Sequence, residues 1–193
     1  ASAIIDRARV RADSLVQDPF CGSGTIPIEA ALIAKNRAPG LHRDFSAMRW
    51  RSLDKSVWQL EREEAVSREF NGNYNIIGTD IDPTALDIAR ENAARAGVSD
   101  IVRFEKADAT KFDRVTENGI IVTNPPYGER IMEKQEAEQL YRLFGDAWRK
   151  TENWKLYLLS SHTEFERTFG KTADKKRKLY NGMIKCDLFM YLK

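Results

Sequence analysis

Leu15-Val-Gln-Asp-Pro-Phe-Cys-Gly-Ser-Gly-Thr25 reads as a short strand over Leu15 to Asp18, a glycine loop from Pro19 to Thr25, and the opening of a helix. That helix runs from about Thr25 to Lys35, is apolar nearly all round (Ile26, Ile28, Ala30, Ala31, Leu32, Ile33, Ala34), and ends before Pro39-Gly40. A helix of this kind is expected to lie buried against a sheet. Strand, glycine loop and helix form the first unit of a Rossmann-like α/β fold, in which Gly22 and Gly24 would let backbone approach a ligand and the helix N-terminus would face negative charge. Two common uses are disfavoured. A dinucleotide fingerprint wants a third glycine where this chain has Pro27, and a phosphate-cradling loop would need Gly-Lys-Ser/Thr, which is absent.

Outward from that unit, residues 1 to about 13 read as a short helix with Ile4, Ile5, Ala8 and Ala12 on one side. Downstream, Tyr74 to Thr79 is a strand that delivers Asp80-Ile81-Asp82-Pro83. Asp82 followed by proline is a helix start, side-chain cap and then N1, and the helix runs to Gly97. Asp80 lacks such a local explanation. A carboxylate at the carboxyl end of the second strand is where nucleoside-binding folds of this type hold ribose hydroxyls. A third strand over Ile101 to Lys106 is followed by Asp108-Ala109, and a fourth over Gly119 to Thr123 by Asn124-Pro125-Pro126-Tyr127-Gly128-Glu-Arg130.

The two prolines cannot donate to a continuing strand, so the fourth strand stops and presents an amide and then a ring at its carboxyl end. An exocyclic amino group on a base is a poor nucleophile because its lone pair is delocalised. The side-chain carbonyl of Asn124 and the backbone carbonyl of Pro125 are suited to accept its two N–H bonds and turn the lone pair out of plane, with Tyr127 stacked on the base. On that reading the Tyr127 hydroxyl is idle and a phenylalanine there would be mild. The same residues would also serve as a rigid turn with a packed ring.

A helix over Glu136 to Lys150 carries a core stripe of Leu140, Leu143, Phe144, Ala147 and Trp148. A fifth strand spans Trp154 to Ser160, a short helix Glu164 to Phe169, and two β-runs, Lys178 to Gly182 and Ile184 to Leu192, flank Asn-Gly as an antiparallel hairpin. His162 has no nucleophile or acid placed by sequence to act with it. Between about 37 and 73 the chain is longer than a βαβ connection requires and reads as a helical insertion, its helix running from about Asp54 to Phe70.

With 193 residues, 42% hydrophobic and 31% charged, the chain fits one ordinary domain over 1–193. No apolar run approaches the roughly 20 residues that span a bilayer, and no leader is visible, as expected of a soluble, cytoplasmic protein without membrane partners. Cys21 and Cys186 stand far apart with no neighbouring ligand, so no metal site is expected. The net charge of +2 does not by itself argue for nucleic acid. Two basic runs, Lys35 to Arg51 and Lys171 to Lys178, are open to phosphate contact or to being solvated faces.

Taken together, Asp18-Pro-Phe-Cys-Gly-Ser-Gly-Thr25, Asp80-Ile-Asp-Pro83, Asp108, Asn124-Pro-Pro-Tyr-Gly-Glu-Arg130 and Lys175-Lys-Arg-Lys-Leu-Tyr-Asn-Gly182 resemble the catalytic domain of bacterial 23S ribosomal RNA guanine-N2 methyltransferases, a THUMP-associated class I family. The run Ile26 to Gly40 adds to the likeness, which covers essentially the whole chain. The resemblance implies a seven-stranded, mostly parallel sheet with a C-terminal antiparallel hairpin and helices on both faces. It implies S-adenosylmethionine as cofactor, held by Asp18, Phe20, Cys21, Gly22, Ser23, Gly24, Thr25, Asp80, Ile81, Asp108, Ala109 and Asn124. Asp18 would lie near the cofactor's amino group and Asp108 near its adenine. Asn124, Pro125, Pro126 and Tyr127 would be catalytic, with Tyr127, Gly128 and Arg130 at the substrate; Arg130 is open to holding a phosphate or base, or to capping a loop carboxylate. RNA would be the partner, and an upstream THUMP domain, for which these residues leave no room, belongs to the full-length chain. The alternatives are tRNA guanine-N2, adenine-N6 DNA or protein glutamine methylation, or a non-catalytic cofactor- or RNA-binding module.

Overall fold

The structure, a computed structural model, describes residues 1–10, 14–128, 131–151 and 153–192. Seven strands, β1 (Leu15–Asp18), β2 (Asn75–Asp80), β3 (Val102–Lys106), β4 (Gly119–Thr123), β5 (Trp154–Ser160), β6 (Lys175–Asn181) and β7 (Ile184–Tyr191), form one sheet in the order β3-β2-β1-β4-β5-β7-β6. The first five run parallel, whereas β7 is antiparallel to both β5 and β6. The chain therefore builds outward from β1 to β3, returns, and continues from β4 on the other side. Ligands of open α/β sheets bind where the order reverses in this way, outside the carboxyl ends of the two central strands. Here those ends are Asp18 and Thr123.

Helices cover both faces. On one, Ile4, Ile5 and Ala8 of α1 (Ser2–Ala8), the apolar side of α2 (Thr25–Ala34) and Leu86, Ala89 and Ala93 of α4 (Pro83–Ala96) share a core with Val16, Ile76 and Val122. On the other, α5 (Ile131–Arg149) and α6 (Phe165–Phe169) pack Tyr141, Phe144, Trp148, Phe165 and Phe169 on Ile77, Ile121 and Leu156. Helix α4 is bounded as its sequence demands: Asp82 accepts from the Thr84 amide at 2.9 Å, Pro83 follows, and Gly97 closes it at φ 70°.

Some expectations need correction. Helix α5 begins before Glu136, and its stripe is Ala137, Tyr141, Phe144 and Trp148, with Ala147; Leu143 lies outside it, 42% exposed. Spacing of four, three and four keeps the buried residues on one side, and Leu143 falls one position round the helix from Phe144. Ile33 of α2 is likewise 38% exposed. Strand β6 begins at Lys175, ahead of Lys178, and Asn181 pairs with Ile184, so the hairpin loop is Gly182-Met183 and not Asn-Gly. Gly182 supplies the positive φ of 61° that the turn requires. Ala12, expected on the α1 stripe, lies outside the described residues.

The segment between α2 and β2 carries α3 (Lys55–Ser67), capped by Asp54 and without a buried residue. Its ends are stapled to the body at the end of α2. The Arg37 guanidinium meets Glu69 at 2.6 and 3.0 Å and also holds the Gly97 carbonyl, Lys35 lies 3.6 Å from Glu69, and the Phe70 amide donates to the Lys35 carbonyl at 2.8 Å. Lys35 and Arg37, read from sequence as part of a basic run, are thus engaged internally. Replacing Glu69 by Gln should leave the Arg37 fork half-satisfied and lower stability by about 1.5–3 kcal/mol. An unchanged urea midpoint would show that the staple is not needed.

Candidate functional site

A cavity of about 430 Å³ opens at the carboxyl ends of β1, β2 and β4, within the ordinary range for a small-molecule site. Its wall includes Phe20 and Gly22 from the glycine loop, Asp80 and Ile81 from the end of β2, Asp108 and Ala109 after β3, and Asn124 to Tyr127 after β4. Four loops far apart in sequence converge because their strands are parallel neighbours. Sequence reasoning missed Pro19, Ala107 and Leu140, which also line it. A second cavity, about 420 Å³, adjoins the first through Pro126 and Leu140 and takes in Gly128 and Ala137. Arg130 and Glu129 lie outside the described residues.

Two carboxylates fix the loop geometry. Asp80 accepts from the Gly22 amide at 2.9 Å and, through its other oxygen, from the Asp82 amide at 3.0 Å. It therefore has the structural explanation that sequence did not supply, while still facing the cavity. Asp18 lies beneath the loop, 2% exposed and off the cavity wall. One of its oxygens accepts from the Thr123 hydroxyl at 2.6 Å and from the Phe20 amide at 3.1 Å. Burial pushes its pKa up to about 7, against the pull of the Thr123 and Phe20 hydrogen bonds and with a further push from the Asp80 charge. Thr123 was not foreseen as a site residue; a hydroxyl ending an otherwise apolar strand beside Asn124 was the available signal.

The glycines divide by role. Gly22 has φ 50° and open space where a side chain would start, so backbone faces the cavity there. Gly24, at φ 83°, would place a Cβ 2.9 Å from that of Ala89 and 3.0 Å from the Phe104 ring. Its small size serves the packing of α2 against α4 and β3. Ser23 and Thr25 point outward and Cys21 is buried below the loop, so these three, with Asp18, Gly24 and Gly128, do not line the first cavity. Burial and the Asp18 and Asp80 charges push the Cys21 thiol well above its usual range, leaving it inert.

Asp108 caps the short 3-10 turn after β3, accepting from the Thr110 amide at 2.9 Å and its hydroxyl at 2.7 Å; these bonds, with Lys111, hold its pKa below the usual carboxylate range. The Tyr127 hydroxyl donates to the Asn124 side-chain oxygen at 2.5 Å, and Asn181 and Cys186 of the hairpin approach the same hydroxyl at 3.4 and 3.5 Å. Tyr141 donates to the Pro126 carbonyl from α5. The Asn-Pro-Pro-Tyr turn is therefore held from three sides, and the Tyr127 hydroxyl has a partner that its reading as a mere platform did not anticipate. His162 is buried and lies on neither cavity; its Nε2 is 2.9 Å from Glu138 and its Nδ1 accepts from the Glu164 amide. Among the described residues no cluster of three or more potential metal ligands occurs, and no helix is long and apolar enough to cross a membrane.

Residues 1–189 match the family described as UPF0020: RMKL-like, methyltransferase domain. The Bacillus subtilis protein named "Putative RNA methyltransferase YpsC" is 43% identical over 99% of this chain and half of its own length. "Ribosomal RNA large subunit methyltransferase K/L" of Shewanella baltica is 42% identical over 93% of this chain and 26% of its own length. The crystal structure of SMU.472, described as a putative methyltransferase complexed with SAH, superposes with a TM-score of 0.94 at 38% identity, covering 98% of this chain and 51% of that one. The chain thus spans about half of the length of two of these proteins and about a quarter of the third.

Because the folded Asp18 binds its proton more tightly than the unfolded one, its contribution to stability is full at low pH and is lost as pH rises toward and through 7. Asp18→Asn, which keeps an acceptor but cannot ionise, should gain on the wild type by about 2–3 kcal/mol between pH 5 and pH 8. Parallel stability curves in urea at the two pH values would contradict the burial of an ionisable group there.

Proposed function

The chain belongs to the UPF0020 family of RMKL-like methyltransferase domains, and on that premise we propose that it transfers a methyl group from S-adenosylmethionine to the exocyclic N2 amino group of a guanine in 23S ribosomal RNA. The observation that carries the reading is the placement of an orienting amide, Asn124, and a fixed carboxylate, Asp80, on the walls of one cavity at the switch point of the sheet. A nucleoside-bearing cofactor suits the residues present. Asp80 keeps lone pairs beyond those used by the two amides and can accept from ribose hydroxyls. Gly22 leaves the loop open beside it, Ile81 offers an exposed apolar surface, and Asp108 faces the position an adenine amino group would take. Phe20 and Ala109 close the apolar side. Cys21, Ser23, Gly24 and Thr25 shape the loop from behind, and Asp18 anchors it.

When bound, S-adenosylmethionine supplies a methyl on a positively charged sulfur, open to direct attack by an amine lone pair. Everything else falls to the protein. The Asn124 oxygen has two lone pairs: one receives the Tyr127 hydroxyl and the other is left for a substrate N–H. The Tyr127 bond also decides which end of the amide faces the base, since the oxygen and not the amino end must point at a donor. With the Pro125 carbonyl taking the second N–H, the amino lone pair turns out of the ring plane and toward the cofactor. The guanine is drawn out of its stack and against the Tyr127 ring, beside the second cavity, with Gly128 on the substrate side. An RNA-binding domain of the THUMP type in the remainder of the protein supplies most of the affinity for the ribosome precursor, in keeping with relatives twice as long.

Asn124→Ala should lower turnover by about 10²-fold or more with affinity for the demethylated cofactor intact. Tyr127→Phe should fall between that variant and wild type, about tenfold slower, because the amide loses its orienting donor, whereas Tyr127→Ala should also weaken RNA binding by about 1–3 kcal/mol. Mass spectrometry of nucleosides from 23S RNA treated with the protein is expected to give N2-methylguanosine. Methyl groups on adenine, or full turnover in Asn124→Ala, would overturn the assignment.

A further inference from the structure

On the face of the sheet that carries α1, Tyr157, Leu159 and Leu188 are buried, whereas Lys155, Lys175 and Arg177, toward the starts of β5 and β6, stand exposed. A groove of about 950 Å³ lies there, with Ile120, Tyr157 and Met190 among its apolar floor residues. Five cations converge on it from distant parts of the chain: Arg7 and Arg9 at the end of α1, Lys155 on β5, and Lys175 and Arg177 on β6. All five are exposed, and among the described residues none of them is in an ion pair. Among the described residues, Asp6 is the one carboxylate that lines the groove. Elsewhere in the two basic runs the pattern differs: Lys35 and Arg37 are paired with Glu69, Lys176 with Glu166, and Lys171 lies over the Trp148 ring. The groove therefore gathers five cations that no carboxylate of the described residues pairs with.

Register ties this groove to the site. Lys175, Arg177, Leu179 and Asn181 pair with Met190, Leu188, Cys186 and Ile184, so they share one face of β6, and Cys186, Leu188 and Met190 belong to the core on the α1 side. Following that face along the strand, the last side chain is Asn181, whose amide is 3.4 Å from the Tyr127 hydroxyl. Six residue steps of strand, about 20 Å, join the cationic groove to the ring at the mouth of the cavity. Exposed cations beside apolar side chains are what a single nucleic-acid strand needs: charge for its phosphates, apolar surface for its sugars and bases.

We infer that this groove binds the phosphate backbone of the RNA strand next to the target nucleotide, with Arg7, Arg9, Lys155, Lys175 and Arg177 as its contacts and the Asn181 face of β6 leading that strand to Tyr127. The inference rests on RNA being the substrate proposed above and adds where the strand lies. An acidic protein segment seated in the same groove is the competing occupant.

The test is binding of a labelled single-stranded RNA 15-mer, followed by fluorescence anisotropy from 50 to 200 mM salt. Lys175→Ala, Arg177→Ala and Lys155→Ala should each weaken binding several-fold and flatten the log–log salt dependence by roughly 0.7. Arg177→Lys should restore the slope, and Lys178→Ala, on the opposite face of the same strand, should leave it unchanged. Binding of the demethylated cofactor, measured by calorimetry, should equal wild type in every variant and so certify the fold. An unchanged slope in folded groove variants, or no RNA binding by the wild-type chain, overturns the inference and leaves the groove to a protein partner. Methyl transfer is scored separately: flattened slopes without methylated RNA would uphold the groove while refuting the proposed reaction, and methylated RNA with unchanged slopes would do the reverse.

Discussion

A single buried hydrogen bond, from the Thr123 hydroxyl to the Asp18 carboxylate at 2.6 Å, joins the two halves of the site. Asp18 ends β1 and starts the glycine loop, whereas Thr123 ends β4 and precedes Asn124. In a parallel sheet such neighbouring strand ends are held only by their ladder, and the loops beyond them would be free to tilt independently. The bond removes that freedom. Asp80 repeats the device between β2 and the loop through the Gly22 amide. Because a carboxylate as buried as Asp18 is costly to ionise without partners, the arrangement persists only while Thr123 and the Phe20 amide satisfy it.

This coupling explains why the site could be read in pieces from the sequence but not assembled. Strands β1, β4 and β5 fall where the sequence places them, and α4 starts and stops at its own cap and glycine, because prolines, glycines and capping carboxylates act over a few residues. The order of the family's motifs likewise pointed to the seven-stranded sheet with its antiparallel end. Asp18 and Thr123, by contrast, are 105 residues apart, and nothing local marks them as partners. Gly24 is another case. Its loop suggested a ligand, but what it must avoid is Ala89 and Phe104, contributed by a helix and a strand that arrive much later in the chain. On α5 the 3.6-residue period was legible, yet which of two adjacent leucine-bearing faces would be buried depended on where β5 and α6 lie, and Tyr141 took the place given to Leu143.

Charge shows the same division between local and distant. The sequence displayed two basic runs, but folding treats their members differently. Residues that meet Glu69, Glu166 or an aromatic ring serve the fold. On β6, strand alternation puts Lys175 and Arg177 on the α1-side face and Lys176, which meets Glu166, on the other. The sheet edge thereby carries two jobs on two faces: Phe189 and its aromatic neighbours pack below, while the cationic face looks toward the groove. An edge strand rich in charge also resists pairing with another chain.

The most direct measurement is a comparison of Thr123→Val with Thr123→Ser, by calorimetric affinity for the demethylated cofactor and by turnover on 23S RNA. Valine keeps the shape and removes the hydroxyl, so the glycine loop and the Asn124 turn should lose their common anchor. Affinity and turnover are then expected to fall together, each by about tenfold or more, as a hydrogen bond to a charged group would require, and serine should restore both. A folded Thr123→Val protein with wild-type affinity and wild-type turnover would contradict the coupling on which this account of the site depends.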